Sequence, residues 1–320
     1  MIRLGIFRHQ TPAMIRHGWL LFLVTICVLR VNAQKTLQKV FNSKDKNYGY
    51  YTVIEPSGKP ERLLVLLDGY GGNASSFLAE TEIDEEAYRN NILTVCLPTG
   101  VRLYADSSIC GLITTTLKGI ITEYKIPANK VAMGGFSSGG TIVLRYAELC
   151  KQNPSAYPVS PAAVFTGDSP VDLAGLYRSA KRELEKGFQG WWLDESRMII
   201  QTLGDTFGQP DKTPTAWNAV NPFNAADTSK GNEQYLATIA CRTYHDVDVE
   251  WQLKNRGRSL YQFNALDASE LVSRLQLRGN NKAAFIQSKI PGMRANGQRH
   301  PHSWNIIEAK ELVEWIKAEL

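Results

Sequence analysis

A serine flanked by glycines carries the strongest chemical signal in this chain of 320 residues. The stretch Gly135-Phe136-Ser137-Ser138-Gly139 matches the pattern G-x-S-x-G, and it stands between an apolar strand pattern and a helical pattern at 141–150. A sharp strand-to-helix turn strains the serine backbone, and glycines at the flanking positions let the neighbouring backbone come close enough to tolerate it. The start of the helix also directs N–H groups toward charge that forms at the serine. Ser137 is therefore the predicted nucleophile.

A serine hydroxyl becomes a good nucleophile only when a base removes its proton, and the usual base is a histidine held by a carboxylate. After its first 33 residues the sequence offers His245, His300 and His302. Where this serine motif is used, the order along the chain is serine, acid, histidine, and the histidine follows the final strand. His300 and His302 both fit that position. We predict His302 as the base, since it lies beside Trp304 at the mouth of the terminal helix.

The carboxylate that would hold the histidine cannot be chosen from spacing alone. Asp246, Asp248 and Glu250 follow the strand pattern at 237–244. They stand at every second position, so they would share one side if the strand continued. Asp168, just beyond the preceding strand pattern, is an outside candidate, because some proteins with this serine motif carry the acid there. The residues by themselves leave the choice among these carboxylates open.

A glycine-rich loop is the candidate oxyanion hole. It reads Asp68-Gly69-Tyr70-Gly71-Gly72 and follows the strand pattern at 62–67. An oxyanion hole is built from backbone N–H groups, one on the residue after the nucleophile and one on a loop of this kind. The predicted donors are the N–H groups of Tyr70 and Ser138.

Short apolar runs alternate with helix-length periodic segments from about residue 48. That alternation predicts an α/β fold with a mostly parallel central sheet and helices on both faces. Helical spacing is clearest at 113–124 and 309–320. The predicted strands are 50–54, 62–67, 92–97, 130–133, 162–166, 237–244 and 282–287.

The longest interruption of this alternation, 169–236, is interpreted as a cap or lid inserted over the carboxyl edge of the sheet. It begins with a predicted helix at 171–186 and continues into Trp191-Trp192 and a stretch rich in Pro and Asn. Long segments of this kind usually serve as lids or binding loops. We predict Trp191 and Trp192 as substrate-binding residues, and core packing would explain the aromatic residues of this segment equally well.

Residues 1–33 have the composition of a secretory signal peptide. Basic residues precede an uncharged apolar run at 19–29, which is too short to span a bilayer comfortably, and the segment ends in Val31-Asn32-Ala33. We expect cleavage after about Ala33 and a secreted or periplasmic protein, 34–320, with no stable membrane span. The alternatives are an uncleaved anchor and, less well supported, a lipoprotein at Cys27.

The basic character of the chain lies in that segment. Four of the 36 Lys and Arg residues fall within 1–33, which leaves 32 basic against 31 acidic residues. The remaining sequence has no basic patch with interleaved aromatics, so nucleic-acid binding is not expected. It shows no cysteine and histidine cluster for a metal. Its four cysteines permit three pairings, which sequence cannot choose among; they are Cys96, Cys110, Cys150 and Cys241.

Four motifs together resemble those of the esterase and lipase-like α/β-hydrolases, particularly small exported bacterial members. They are D-G-x-G-G at 68–72, G-x-S-x-G-G at 135–140, an acid segment with D-V-x-W, and H-S-W at 302–304. The resemblance covers most of 50–320. Its pattern E-P-D-V-x-W aligns with 246–251 and selects Asp248 as the acid, although aspartate replaces the glutamate and valine replaces the proline. The H-S-W histidine is His302.

The resemblance implies an α/β-hydrolase fold and a carboxylic ester hydrolase with the triad Ser137, Asp248 and His302. The reaction is acyl transfer through an acyl-enzyme and requires no cofactor, and the substrate is a small-molecule or polymer-attached ester. One alternative is a secreted serine peptidase, because G-F-S-S-G-G also resembles the prolyl-oligopeptidase type. That type has a propeller-sized N-terminal domain, which this chain lacks. The other alternative is an inactive hydrolase fold that binds a ligand.

Overall fold

An eight-stranded sheet forms the centre of the computed structural model, which describes residues 34–187, 189–229 and 231–320. The predicted signal peptide lies outside the described residues. The strand order is β1-β2-β4-β3-β5-β6-β7-β8, and the strands from β3 to β8 are parallel. The first two are antiparallel to their neighbours. The strands are β1 (Lys35–Val40), β2 (Tyr50–Glu55), β3 (Arg62–Leu67), β4 (Ile92–Leu97), β5 (Val131–Phe136), β6 (Ala163–Gly167), β7 (Ala240–His245) and β8 (Ala283–Gln287).

The central strands are apolar on both faces, as a parallel sheet covered by helices requires. In β3, Leu63, Val65 and Leu67 contribute to one core cluster, whereas Leu64 and Leu66 contribute to the other. Each of these side chains is fully buried, and such burial stabilises a fold by about 1.5–3 kcal/mol per residue. Hydrophobic cores on both sides therefore hold the sheet in place.

Helices cover both faces. Apolar residues of α2, α3 and α8 join the first core cluster, and apolar residues of α1 and α9 join the second. The helices of these two layers are α1 (Ile83–Arg89), α2 (Ser107–Tyr124), α3 (Ser138–Gln152), α8 (Asn264–Leu277) and α9 (Ala309–Glu319). A further short helix, α7 (Val249–Arg256), follows β7.

Among the described residues, three α-helices lie between β6 and β7: α4 (Leu173–Glu185), α5 (Trp192–Phe207) and α6 (Pro214–Val220). They share a small hydrophobic cluster with Leu103, and Leu173, Leu203 and Trp217 are buried in it. Within the described ranges, no helix is long and apolar enough to cross a membrane.

The predicted fold class is confirmed, and each predicted strand is present. The strand after the α6 segment begins at Ala240 rather than 237, because the 3-10 helix at 232–236 is followed by a turn at 237–239. Strand β1 was not predicted, since its residues at the sheet edge are mostly exposed and form no apolar run. The four cysteines of the described chain are buried free thiols.

Candidate active site

Ser137 stands on a sharp turn between β5 and α3. Its backbone angles are φ 52° and ψ −129°, a region that costs a residue with a side chain about 1–3 kcal/mol. The Ser137 N–H donates to the Gly167 carbonyl at 2.9 Å, which anchors the turn to β6. A Cβ on Gly135 would lie 2.3 Å from the Gly139 carbonyl carbon, and a Cβ on Gly139 would lie 2.3 Å from the Asp68 carbonyl oxygen. The glycines are thus required by close backbone packing around the strained serine.

His302 lies in the loop between β8 and α9. Its ring packs on Phe136 with the ring centroids 4.4 Å apart, and it lines the same cavity as Ser137. Among the described residues the Ser137 hydroxyl makes no hydrogen bond. Hydrogen bonds between catalytic groups are often long until substrate is bound. The arrangement therefore brings a candidate nucleophile and a candidate base to one cavity.

The carboxylate that holds His302 is Asp168, directly after β6. Asp168 Oδ2 lies 2.7 Å from His302 Nδ1, and Asp168 Oδ1 lies 3.1 Å from His245 Nδ1. Burial raises the pKa of Asp168, but hydrogen bonds from the two histidines outweigh it and hold that pKa well below the usual range. Asp168 is consequently ionised at neutral pH and can orient an imidazole.

The prediction of Asp248 as the carboxylate partner of His302 is corrected by this geometry. The chain turns into α7 directly after Asp248, whose side chain caps the helix by accepting from the Trp251 N–H at 2.9 Å. Asp248 and Asp246 both pair with Arg299, at 2.7 Å and 2.8 Å. Because the strand does not continue, these carboxylates hold the loop that carries His302 and do not contact its ring; Glu250 is exposed.

His300, the other histidine of that loop, has a different environment. Its Nδ1 accepts from the His302 backbone N–H at 3.1 Å, and its Nε2 lies 2.9 Å from Arg256 Nη2. Burial, together with the positive charges of Arg294 and Arg256, lowers the pKa of His300 to about 3. His300 therefore stays neutral and supports the loop backbone at His302.

The glycine-rich loop after β3 lies against Ser137, as an oxyanion hole requires. A Cβ on Gly69 would be 3.0 Å from Ser137 Cβ. In the part of the chain that the structure describes, the backbone N–H groups of Tyr70 and Ser138 have no hydrogen-bond acceptor. Both are thus free to donate to an oxyanion.

Asp68 ties this loop to the histidine loop. Its carboxylate accepts from the Trp304 indole N–H at 2.8 Å and from the Gly69 N–H at 2.8 Å. Trp304 is buried and stacks on Phe77, with the ring centroids 4.8 Å apart. The D-G-x-G-G and H-S-W motifs therefore meet in space through Asp68 and Trp304, and this contact fixes the two loops that flank Ser137.

A cavity of about 110 Å³ opens at Ser137. Residues of α4 and α5 form one wall of this cavity. They are Leu176, Ser179, Ala180, Glu183, Glu195, Ser196, Met198 and Ile199.

The predicted substrate-binding residues Trp191 and Trp192 are not among the residues that line the cavity, which corrects that assignment. Trp191 is 68% exposed, and the Arg256 guanidinium lies over its ring, 5.1 Å from the centroid. The ring of Trp192 makes an edge contact with Trp191, with the centroids 6.2 Å apart. Trp191 precedes the first turn of α5, so the cavity wall is supplied by residues further along that helix.

Charged residues occupy part of this wall. Glu183 accepts from Arg258 Nε at 2.7 Å and from the Ser196 hydroxyl. Arg258 Nη2 also reaches Glu195 at 3.1 Å. Burial raises the pKa of Glu195, but the nearby cations, Arg258 first among them, lower it overall. Helices α4 and α5 are thus joined to the segment after α7 by ion pairs, and carboxylates face the cavity.

The register between β6 and β7 explains how Asp168 and His245 meet. Gly167 pairs with Tyr244, so the next residue of each strand emerges side by side at the carboxyl edge of the sheet. Sequence reasoning placed Asp168 only as an outside candidate and gave His245 no role. The two residues each follow directly after a strand, and aligning the ends of these adjacent strand patterns could have predicted that they lie side by side.

The fold is similar to that of several solved structures. The fluorophosphonate-binding serine hydrolase F of Staphylococcus aureus has a TM-score of 0.54 at 14% identity, over 89% of this chain and 98% of that one. An esterase/lipase from an uncultured bacterium has a TM-score of 0.56 at 13% identity, over 90% and 85%. Esterase B from Lactobacillus rhamnosis has a TM-score of 0.54 at 10% identity, over 90% and 88%.

The chain therefore has the α/β-hydrolase fold. No protein-family model matches it, and no curated protein is significantly similar to it in sequence.

Proposed function

We propose that this protein is a serine hydrolase of carboxylic esters, with Ser137 as nucleophile, His302 as base and Asp168 as the orienting acid. The observation that carries the proposal is the 2.7 Å contact between Asp168 and His302 Nδ1, in the cavity that also contains the strained Ser137. An imidazole held through Nδ1 presents its other nitrogen to the nucleophile, which is the logic of a catalytic triad. The esterase and serine hydrolase names of the structural neighbours agree with this chemistry.

The residues support acyl transfer in two steps. Ser137 Oγ attacks the ester carbonyl carbon while His302 takes the hydroxyl proton, and the tetrahedral oxyanion forms against the N–H groups of Tyr70 and Ser138. The C–O bond to the alcohol then breaks, and the alcohol leaves with the proton from His302. Water repeats these steps on the acyl-enzyme and releases the acid. One oxyanion donor is worth about 3 kcal/mol of barrier.

The cavity favours a short acyl group. Its volume of about 110 Å³ is below the range of roughly 300 Å³ and upward that is common for drug-sized ligands. Glu183, Glu195 and Arg258 line it, and burying a long alkyl chain against their charges would cost free energy. We expect aryl butyrates to be hydrolysed much faster than aryl palmitates, measured as kcat/KM below the solubility limit of each ester.

Covalent labelling by a fluorophosphonate probe tests the nucleophile. The probe should label the wild type and the control Ser273→Ala, a serine on the exposed side of α8. It should not label Ser137→Ala, which should also lose ester hydrolysis while keeping its melting temperature. Labelling of Ser137→Ala would place the nucleophile elsewhere, and an unlabelled wild type would indicate an inactive hydrolase fold. Faster cleavage of aminoacyl amides than of aryl esters would favour the peptidase alternative.

Export belongs to the same proposal. The basic residues and the short apolar run of 1–33 support a signal peptide that is removed after about Ala33, with the hydrolase acting outside the cytoplasm. Expression of the full chain in a bacterial host, followed by N-terminal sequencing of the periplasmic or secreted product, tests this proposal. A product that retains residues 1–33 in the membrane fraction would support an uncleaved anchor.

A further inference from the structure

Asp168 is shared by two histidines, and the proposed mechanism uses only one of them. His302 contacts Oδ2, whereas His245 contacts Oδ1 from the end of the neighbouring strand. His245 is 1% exposed, and its ring stacks on Phe285 with the centroids 5.1 Å apart and the planes 6° apart. A side chain so enclosed has one fixed orientation, toward the carboxylate.

The backbone around this contact is fixed as well. Asp168 has a φ of 40°, its N–H donates to the Tyr244 carbonyl at 2.8 Å, and its carbonyl accepts from Asn264 Nδ2 at 2.8 Å. The His245 carbonyl accepts from the Ser288 N–H at 2.7 Å. Both partners are therefore held at the sheet edge independently of their side-chain contact.

The hydrogen-bond pattern selects one protonation form of His245. Ionised Asp168 can only accept, so His245 must carry its proton on Nδ1. Its Nε2 is buried and has no hydrogen-bond partner among the residues that the structure describes. A second proton there would leave a buried N–H without an acceptor, which is unfavourable. His245 thus donates to Asp168 through Nδ1.

We propose that His245 is a positioning residue for the hydrolytic reaction, acting through Asp168. Its N–H fixes Oδ1 and withdraws charge from the carboxylate, so that Oδ2 alone faces His302 in one orientation. The proposal rests on the function proposed above, because it assumes that Asp168 orients the catalytic base. It adds His245 as a fourth residue to the proposed triad.

The test compares His245→Asn with His245→Leu. The two side chains are similar in size and shape, and only Asn can donate an N–H near the position of the imidazole Nδ1. We expect His245→Leu to lower kcat about 10- to 100-fold, the range for loss of a hydrogen bond to a buried charge. His245→Asn should retain most of the rate, with both variants folded by circular dichroism.

The pH profile separates positioning from a merely structural role. Without the donor, more negative charge remains on Asp168, so the protonated form of the Asp168 and His302 pair is favoured. The acidic limb of kcat/KM between pH 5 and 9 should then move to higher pH by about one unit in His245→Leu, and return in His245→Asn. Equal losses in both variants, with no movement of the limb, would overturn the proposal.

If His245→Leu does not fold, nitrogen NMR of the wild-type histidines decides, since the proposal requires the proton of the neutral His245 ring to lie on Nδ1 and not on Nε2. The opposite tautomer would contradict it. Fluorophosphonate labelling of the wild type distinguishes failure of this proposal from failure of the proposed function. If the wild type is labelled but the His245 variants keep its activity, only the positioning role is wrong. If the wild type is not labelled, both proposals are wrong.

Discussion

The turns after β6 and β7 each place carboxylates at the same edge of the sheet, and they have different roles. Asp168, after β6, binds His302 and His245. Asp246 and Asp248, after β7, bind Arg299. The comparison shows that a carboxylate near a sheet edge can contact the proposed base directly or hold the loop that carries it. Local sequence does not distinguish the two.

The largest expected difference is between the catalytic rates of variants in the two turns. Asp168→Asn should lower kcat about 10⁴-fold, because an amide in place of the carboxylate favours the wrong imidazole tautomer. Asp248→Asn should cost less than tenfold, since Asn is an equally good helix cap and the charge lost faces Arg299. Steady-state hydrolysis of an aryl butyrate by the two purified variants makes the comparison. A reversal of the two effects would restore Asp248 as the acid.

The second prediction concerns stability in acid. The pKa of Asp168 is lower in the folded protein than in the unfolded chain, so its contribution is complete above about pH 5 and is lost as the pH falls below about 4. The contribution is on the order of 2 kcal/mol. Urea unfolding at pH 6 and pH 3 should therefore show a larger loss for the wild type than for Asp168→Asn. Equal losses would mean that the two histidines do not depress this pKa.

A smaller effect is expected at Arg299, which joins both carboxylates of the β7 turn to the histidine loop. Its Nη1 also donates to the Gly292 carbonyl at 3.0 Å. Arg299→Gln should loosen the loop and lower kcat/KM about tenfold, because small displacements of a catalytic base reduce the rate. The wild-type pH profile should be kept, as the base itself is unchanged. A loss near that of Asp168→Asn would indicate that Arg299 acts at the reacting atoms.

The smallest effect is expected from loss of the helix cap. Asp248→Ala removes the acceptor for the Trp251 N–H, at a cost of about 1 kcal/mol in unfolding free energy. Asp248→Asn should recover most of that stability. Thermal melts of the two variants at pH 7 provide the measurement, and an unchanged melting temperature in Asp248→Ala would show that the cap contributes nothing.

The sequence by itself determined the fold class, the strained turn at Ser137, the loop at Tyr70 and the position of His302. These features depend on short-range patterns, namely apolar runs, glycines that permit close backbone contact, and the order of motifs along the chain. Strand β1 was missed for the same reason, since an exposed edge strand has no apolar run.

Only the tertiary structure decided which acid meets His302 and which residues face the cavity. Asp168 and His245 are 77 positions apart and meet because β6 and β7 are neighbours in register. Asp248 is drawn away because α7 starts at that residue and Arg299 approaches from a distant loop. Trp191 faces Arg256 for a similar reason. Such choices are set by contacts between segments far apart in the chain, which no local pattern encodes.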